Sequence, residues 1–182
     1  MWNAITKVGS LNGTRNFTRV LIAALVSFGV FLMPPATQAM PAAKQAGVFK
    51  KIFNFNKKLR GKKVKVLAVY DDATKADIDA VTSAFSSGGI SISAVDSATA
   101  LTSMGDVEVV YLLANLPDVL AQCQTQKKLT ITATPTLTEG GHVAVSVGDN
   151  GGRAVITVHL QRVKSEGQVF APTFLKMAKV VR

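Results

Sequence analysis

The chain has 182 residues, 48% of them apolar, a single cysteine and a formal charge of +10. With Cys123 alone no disulfide can close within one chain, so the fold must rest on its hydrophobic core. The charge does not mark a nucleic-acid binder. Residues 1–39 hold three basic residues and residues 44–65 hold nine, neither with an acid, whereas residues 66–182 hold nine basic against eleven acidic; a nucleic-acid module carries its positive stripe on the folded domain itself.

In chain order, Lys7, Arg15 and Arg19 precede a largely apolar run over residues 20–33 that stops at Pro34 and Pro35. Thr37 and Ala39 then supply the small residues of a cleavage site, so residues 1–39 read as a signal peptide cut after Ala39. A membrane-spanning helix needs about 20 apolar residues, and this run has 14. The mature protein is therefore expected to be residues 40–182, exported and periplasmic.

Residues 40–63 form a basic, aromatic leader. Val48, Phe49, Ile52 and Phe53 fall on one face of a short amphipathic helix, with lysines on the other. Two readings stay open at this point. The helix packs on the domain with solvated lysines, or it forms a contact surface for a membrane-bound partner or anionic lipid head groups. The second reading draws on Phe49, Ile52, Phe53 and Phe55 with Lys50, Lys51, Lys57, Lys58 and Arg60.

The domain itself is expected over residues 64–182. A continuous apolar, β-branched run over 64–70 reads as a strand buried on both faces. Thr74 is placed to cap a helix over 75–87, and Gly88-Gly89 stop it. Strands over 90–95, 107–113 and 129–133 alternate with helices over 98–104 and 116–127. Such alternation argues for an α/β, three-layer, flavodoxin- or Rossmann-like sheet of about four parallel strands, ordered 2-1-3-4. A hairpin (142–147 and 153–158) and a terminal helix over 173–181 complete the chain.

Chemistry is sparse. Asp71 and Asp72 lie at the carboxyl end of a central strand, where α/β sheets place ligands, and with Asn115 they mark a candidate small-solute site. The acidic pair resembles the metal-binding pair of response-regulator receivers, but Leu113 stands where the phosphate-accepting Asp would be. His142 and His159 have no third ligand at metal spacing, and Cys123 sits in an apolar-patterned segment as a small hydrophobe. No catalytic residue, metal or cofactor is expected, and the chain reads as a non-enzyme.

Gly140-Gly141-His-Val-Ala-Val-Ser-Val147, then Arg153-Ala-Val-Ile-Thr-Val-His-Leu160, then Gly167 and Phe174-Leu-Lys-Met-Ala-Lys-Val-Val-Arg182 resemble the ending of YfiR-like proteins. The aromatic helix (Ile52-Phe-Asn-Phe55), the strand ending at Tyr70 and the Val109-Val-Tyr-Leu-Leu113 strand follow the same order. The resemblance implies an exported, non-enzymatic regulator that binds the periplasmic domain of an inner-membrane diguanylate cyclase, holding down cyclic-di-GMP output and biofilm formation. Self-association into a homodimer is a further expectation. Where the family has Trp-Pro, this chain has the basic stretch Lys57-Lys-Leu-Arg-Gly-Lys-Lys63, and the family's cysteine pairing cannot form here.

Overall fold

The computed structural model describes residues 38–182, so the expected signal, apart from its last two residues, lies outside the described part. Among the described residues one sheet of eight strands runs in the order β3-β2-β4-β5-β6-β7-β8. Its parallel half comprises β2 (Lys65–Tyr70), β3 (Ser91–Asp96), β4 (Val109–Leu112), β5 (Leu129–Thr132) and β6 (Val145–Asn150). The first four stand in the expected order, and β6 joins β5 in parallel to make a fifth. β7 (Arg153–His159) returns antiparallel on β6 as the expected hairpin, whose first strand is displaced from 142–147 to 145–150, leaving Gly151 and Gly152 as the turn. β1 (Gln38–Ala39), which contains the expected cleavage residue, pairs with β6 beyond the reach of β5.

The period of two in the central strands divides the core into two. Val66, Ala68, Val109 and Tyr111 face α1 (Ala42–Phe55) and α2 (Ile78–Ser87). Leu67, Val69, Val110 and Leu112 face α3 (Ser97–Ser103) and α4 (Pro117–Thr125). This is the three-layer α/β arrangement the continuous apolar strands call for, since a parallel sheet must be covered on both sides. Two short helices add to the expected elements, α5 (Pro135–Glu139) and α6 (Leu160–Ser165). His159 caps the second of them, its Nδ1 accepting the Arg162 backbone N–H at 3.2 Å.

Three expectations are corrected. The helix expected over 75–87 opens as a 3₁₀ turn (Lys75–Asp77), and Thr74 turns back to Asp71 rather than capping it. The terminal helix expected over 173–181 ends early: α7 covers Pro172–Met177, and Lys179–Val181 form β8, parallel to β7. The hairpin leaves the outer edge of β7 open, and the β-branched Val180 and Val181 cover it with backbone hydrogen bonds that a helix would forgo. The boundary expected at residue 64 also moves. α1 belongs to the domain, with Phe49 packed among Phe53, Phe85 and Tyr111 at centroid distances of 5.8–6.4 Å.

Phe49 is fully buried. Phe49→Ala is therefore expected to cost about 3–5 kcal/mol, read as a lowered urea midpoint, and a chain starting at residue 64 should show no cooperative transition. An unchanged midpoint would mean that α1 contributes nothing to the core.

Candidate functional site: a basic amino edge

The apolar residues proposed for partner contact do not face outward. Phe49, Ile52 and Phe53 are at most 4% exposed and cover the sheet, and Phe55 is half-buried on Phe174, ring centroids 5.4 Å apart. An amphipathic helix laid on an apolar sheet buries that stripe first, because the sheet offers a larger apolar area than any solvated use of it. The cations of the same list behave differently: Lys50, Lys51, Lys57, Lys58 and Arg60 are all exposed.

All nine basic residues of 44–65 are exposed. Among the described residues there are two ion pairs, Arg162–Glu166 and Lys179–Glu139, and neither draws on this block. Lys50 donates to the Gly88 carbonyl at 2.9 Å, a contact that fixes its position without neutralising it. The amino ends of β2 and β3 therefore carry lysines that enter no ion pair among the described residues, although Asp106 and Glu108 stand on the same edge.

A buried polar network holds that surface in place. The Asn56 side chain accepts from the Lys58 backbone N–H at 2.9 Å and donates to Gln168 at 3.1 Å. Gln168 in turn donates to the carbonyls of Lys127 and Glu166. The Glu166 carboxylate is fully buried and accepts from the Thr130 N–H at 2.9 Å, the Thr130 hydroxyl at 2.6 Å and Arg162 Nε at 2.8 Å. Burial pushes its carboxyl above the ordinary range, against the pull of Thr130 and Arg162.

Two concavities open on this edge. One, of about 310 Å³, is floored by Phe53, Leu59, Val64 and Ile90 and rimmed by Lys50, Lys62 and Lys63, with no acid in its walls. The other, of about 400 Å³, mixes Lys58, Lys62, Lys127 and Lys128 with Asp106 and Glu108. Lys62, Lys63 and Leu59 were not singled out from the sequence. The signal was there: Leu59 is the one aliphatic residue within the basic 57–63 stretch.

The carboxyl edge is built differently from the expectation. Asp71 is held below the ordinary carboxylate range by the Thr74 hydroxyl and backbone, closing a local turn. Asp72 and Asn115 are exposed. None of the three lines the cavity of about 320 Å³ found there, whose walls include Gln45, Asp77, Tyr111, Thr132 and Thr134. Most of its polar groups are already partnered: the Tyr111 hydroxyl donates to Gln45 at 2.7 Å, Gln45 donates to the Met40 carbonyl, and Thr132 to the Leu112 carbonyl at 2.8 Å. Burial pushes the Tyr111 phenol well up. Cys123 is fully buried, its thiol pushed up to about 12 by burial. Among the described residues no cluster of three His, Cys, Asp or Glu could hold a metal, and no helix is long and apolar enough to cross a membrane.

No family model and no curated protein matches the chain. Solved structures share its fold. The ABC domain from Streptococcus pneumonia in complex with L-Trp superposes with a TM-score of 0.59 at 13% identity, over 78% of this chain and 60% of that one. A conserved domain protein from Vibrio cholerae gives 0.59 at 13%, over 80% and 61%. The chain thus spans about three fifths of the length of each. At this identity the likeness concerns the α/β fold alone.

Glu166→Ala is expected to cost about 3–5 kcal/mol in urea unfolding, because it leaves the Arg162 guanidinium without its counter-charge and the buried Thr130 N–H without an acceptor. A thiol reagent such as Ellman's should label Cys123 only as the protein unfolds. Labelling of the native protein at the rate of a free thiol would contradict its placement.

Proposed function

We propose that the chain is an exported, non-enzymatic regulator of the YfiR-like kind. It acts by binding the periplasmic side of an inner-membrane signalling protein, a diguanylate cyclase, and so sets cyclic-di-GMP and biofilm output. The observation that carries the binding role is the exposed block of cations at 44–65, fixed by a buried network and unmatched by any ion pair among the described residues. A positive field of this kind steers an acidic partner face and suppresses wrong encounters. The YfiR-like reading is further supported by how the residues of the resemblance meet. The aromatic helix and the closing helix join through Phe55 and Phe174 and through the Asn56–Phe170 bridge. The Gly140-Gly141 turn passes so close to His159 that a Cβ on Gly141 would lie 3.1 Å from its Nε2, at a φ of +78°.

Capture from native membranes on the immobilised protein tests this. A transmembrane signalling protein should be retained at low salt, fade as salt screens the surface over about 8–10 Å, and be lost with Lys57→Glu/Lys58→Glu/Arg60→Glu. Identical recovery by the wild type and the reversed variant would end the proposal.

A second reading is favoured by the carboxyl-edge cavity, whose size falls at the lower end of the range for small-molecule sites. It makes the chain a solute-binding module, in line with the L-Trp held by the streptococcal domain. On that reading a free amino acid raises the melting temperature, and Ala80→Leu, which fills the cavity wall, removes the shift while leaving the membrane partner bound.

A further inference from the structure

The groove at the amino ends of β2 and β3 lies beside the open edge of the sheet. Among the described residues β3 is hydrogen-bonded on one side only, to β2, in the register Lys65↔Ser91 through Tyr70↔Asp96. Half of its backbone N–H and C=O groups therefore point away from the sheet. Edge strands are normally blunted by shortness, lysine or proline. The opposite edge follows that rule, since β8 has three residues and includes Lys179. β3 does not: it runs six residues, Ser-Ile-Ser-Ala-Val-Asp, with neither lysine nor proline. Ser91, its first residue, is also a wall of the groove.

We propose that this groove and the β3 edge receive an extended acidic segment of a partner protein. The segment adds a strand to β3 and seats one apolar side chain on Phe53, Leu59, Val64 and Ile90. Strand addition of this type takes its affinity from main-chain hydrogen bonds and its specificity from a side-chain pocket. Charge selects the acidic sequence: Lys50, Lys62 and Lys63 rim the groove, and among the described residues no carboxylate lines it. The chain's own first 39 residues carry no acid, so they do not supply the ligand. Burial of the floor favours a peptide over a lipid surface. Its four apolar residues are at most 8% exposed and recessed behind the lysines, so a ligand must reach in rather than be met. The inference rests on the binding role proposed above and gives it a location and a partner chemistry.

Selection of a random-peptide library on the full chain provides the probe. Enriched peptides are expected to carry acidic residues around one Leu, Ile or Phe. For such a peptide, followed by fluorescence anisotropy, Lys62→Glu/Lys63→Glu should weaken binding by about tenfold or more. Methylation of alternate backbone amides of the peptide, which deletes strand pairing but not charge, should do the same. Enrichment of basic or uncharged peptides, or none at all, overturns the proposal, as does indifference to backbone methylation. So does preferential binding to phosphatidylglycerol vesicles, or a β3-mediated dimer that excludes the peptide. The two failures are distinguishable. If Lys62→Glu/Lys63→Glu still captures the membrane partner while the Lys57, Lys58 and Arg60 reversal loses it, the groove is wrong and the regulatory reading stands.

Discussion

Where β5 and β6 begin to pair, a carboxylate takes the place of a strand. Leu129 gives its N–H to Glu108 on the β4 side, so the N–H of Thr130 points toward β6. The β5–β6 ladder starts only at Ile131↔Val145. Glu166 fills the gap: it accepts from Thr130, while the Thr130 hydroxyl accepts from Ala144 on the approach to β6. Arg162 neutralises the carboxylate and donates onward to the Leu120 carbonyl at the centre of α4. One buried charge pair thus ties β5, α4 and α6 together. Such a pair contributes less through its own attraction than through the cost of breaking it, because either partner left alone is an uncompensated buried charge.

The same network reaches the surface that matters for binding. From Glu166 it passes through Gln168 to Asn56 and so to the turn that carries Lys57, Lys58 and Arg60. The Lys57 N–H is held by the Val169 carbonyl and the Phe55 carbonyl by the Ala171 N–H, at 2.8 and 2.9 Å. The cations are long and solvated, but their backbone is anchored to the core. A preorganised backbone lowers the ordering cost of association, which area alone does not reveal.

The two ends of the sheet strands offer different chemistry. At the carboxyl edge, where α/β folds commonly hold ligands, most polar groups around the cavity are satisfied by one another, and Asp71 is spent on a local turn. At the amino edge the lysines are exposed and enter no ion pair among the described residues, beside a strand with an open flank. Binding through this edge makes use of what the fold leaves unpaired. The buried Cys123, its thiol held protonated, packs against Met104 at 3.9 Å rather than meeting solvent.

Local pattern was enough for the layers of this fold. The unbroken apolar runs of β2 and β4, the glycine-stopped helix between β2 and β3 and the alternation of strands with helices determined a covered parallel sheet and the order of its first four strands. The segregation of cations into residues 44–65 was equally legible, because charge is a property of residues and not of their arrangement. What tertiary structure alone decided was which side of an amphipathic pattern is used and by what. Phe49, Ile52 and Phe53 suit a partner or a core equally well by periodicity, and only the proximity of Phe85 and Tyr111 settles that they cover the sheet. Val180 and Val181 fit a helix until β7 presents an open edge. Glu166, an ordinary surface residue by sequence, becomes the hub because Thr130 and Arg162 converge on it from segments far apart or a turn away. Long-range pairing of this kind leaves no local trace, since the energy that selects it arises only once the chain is closed.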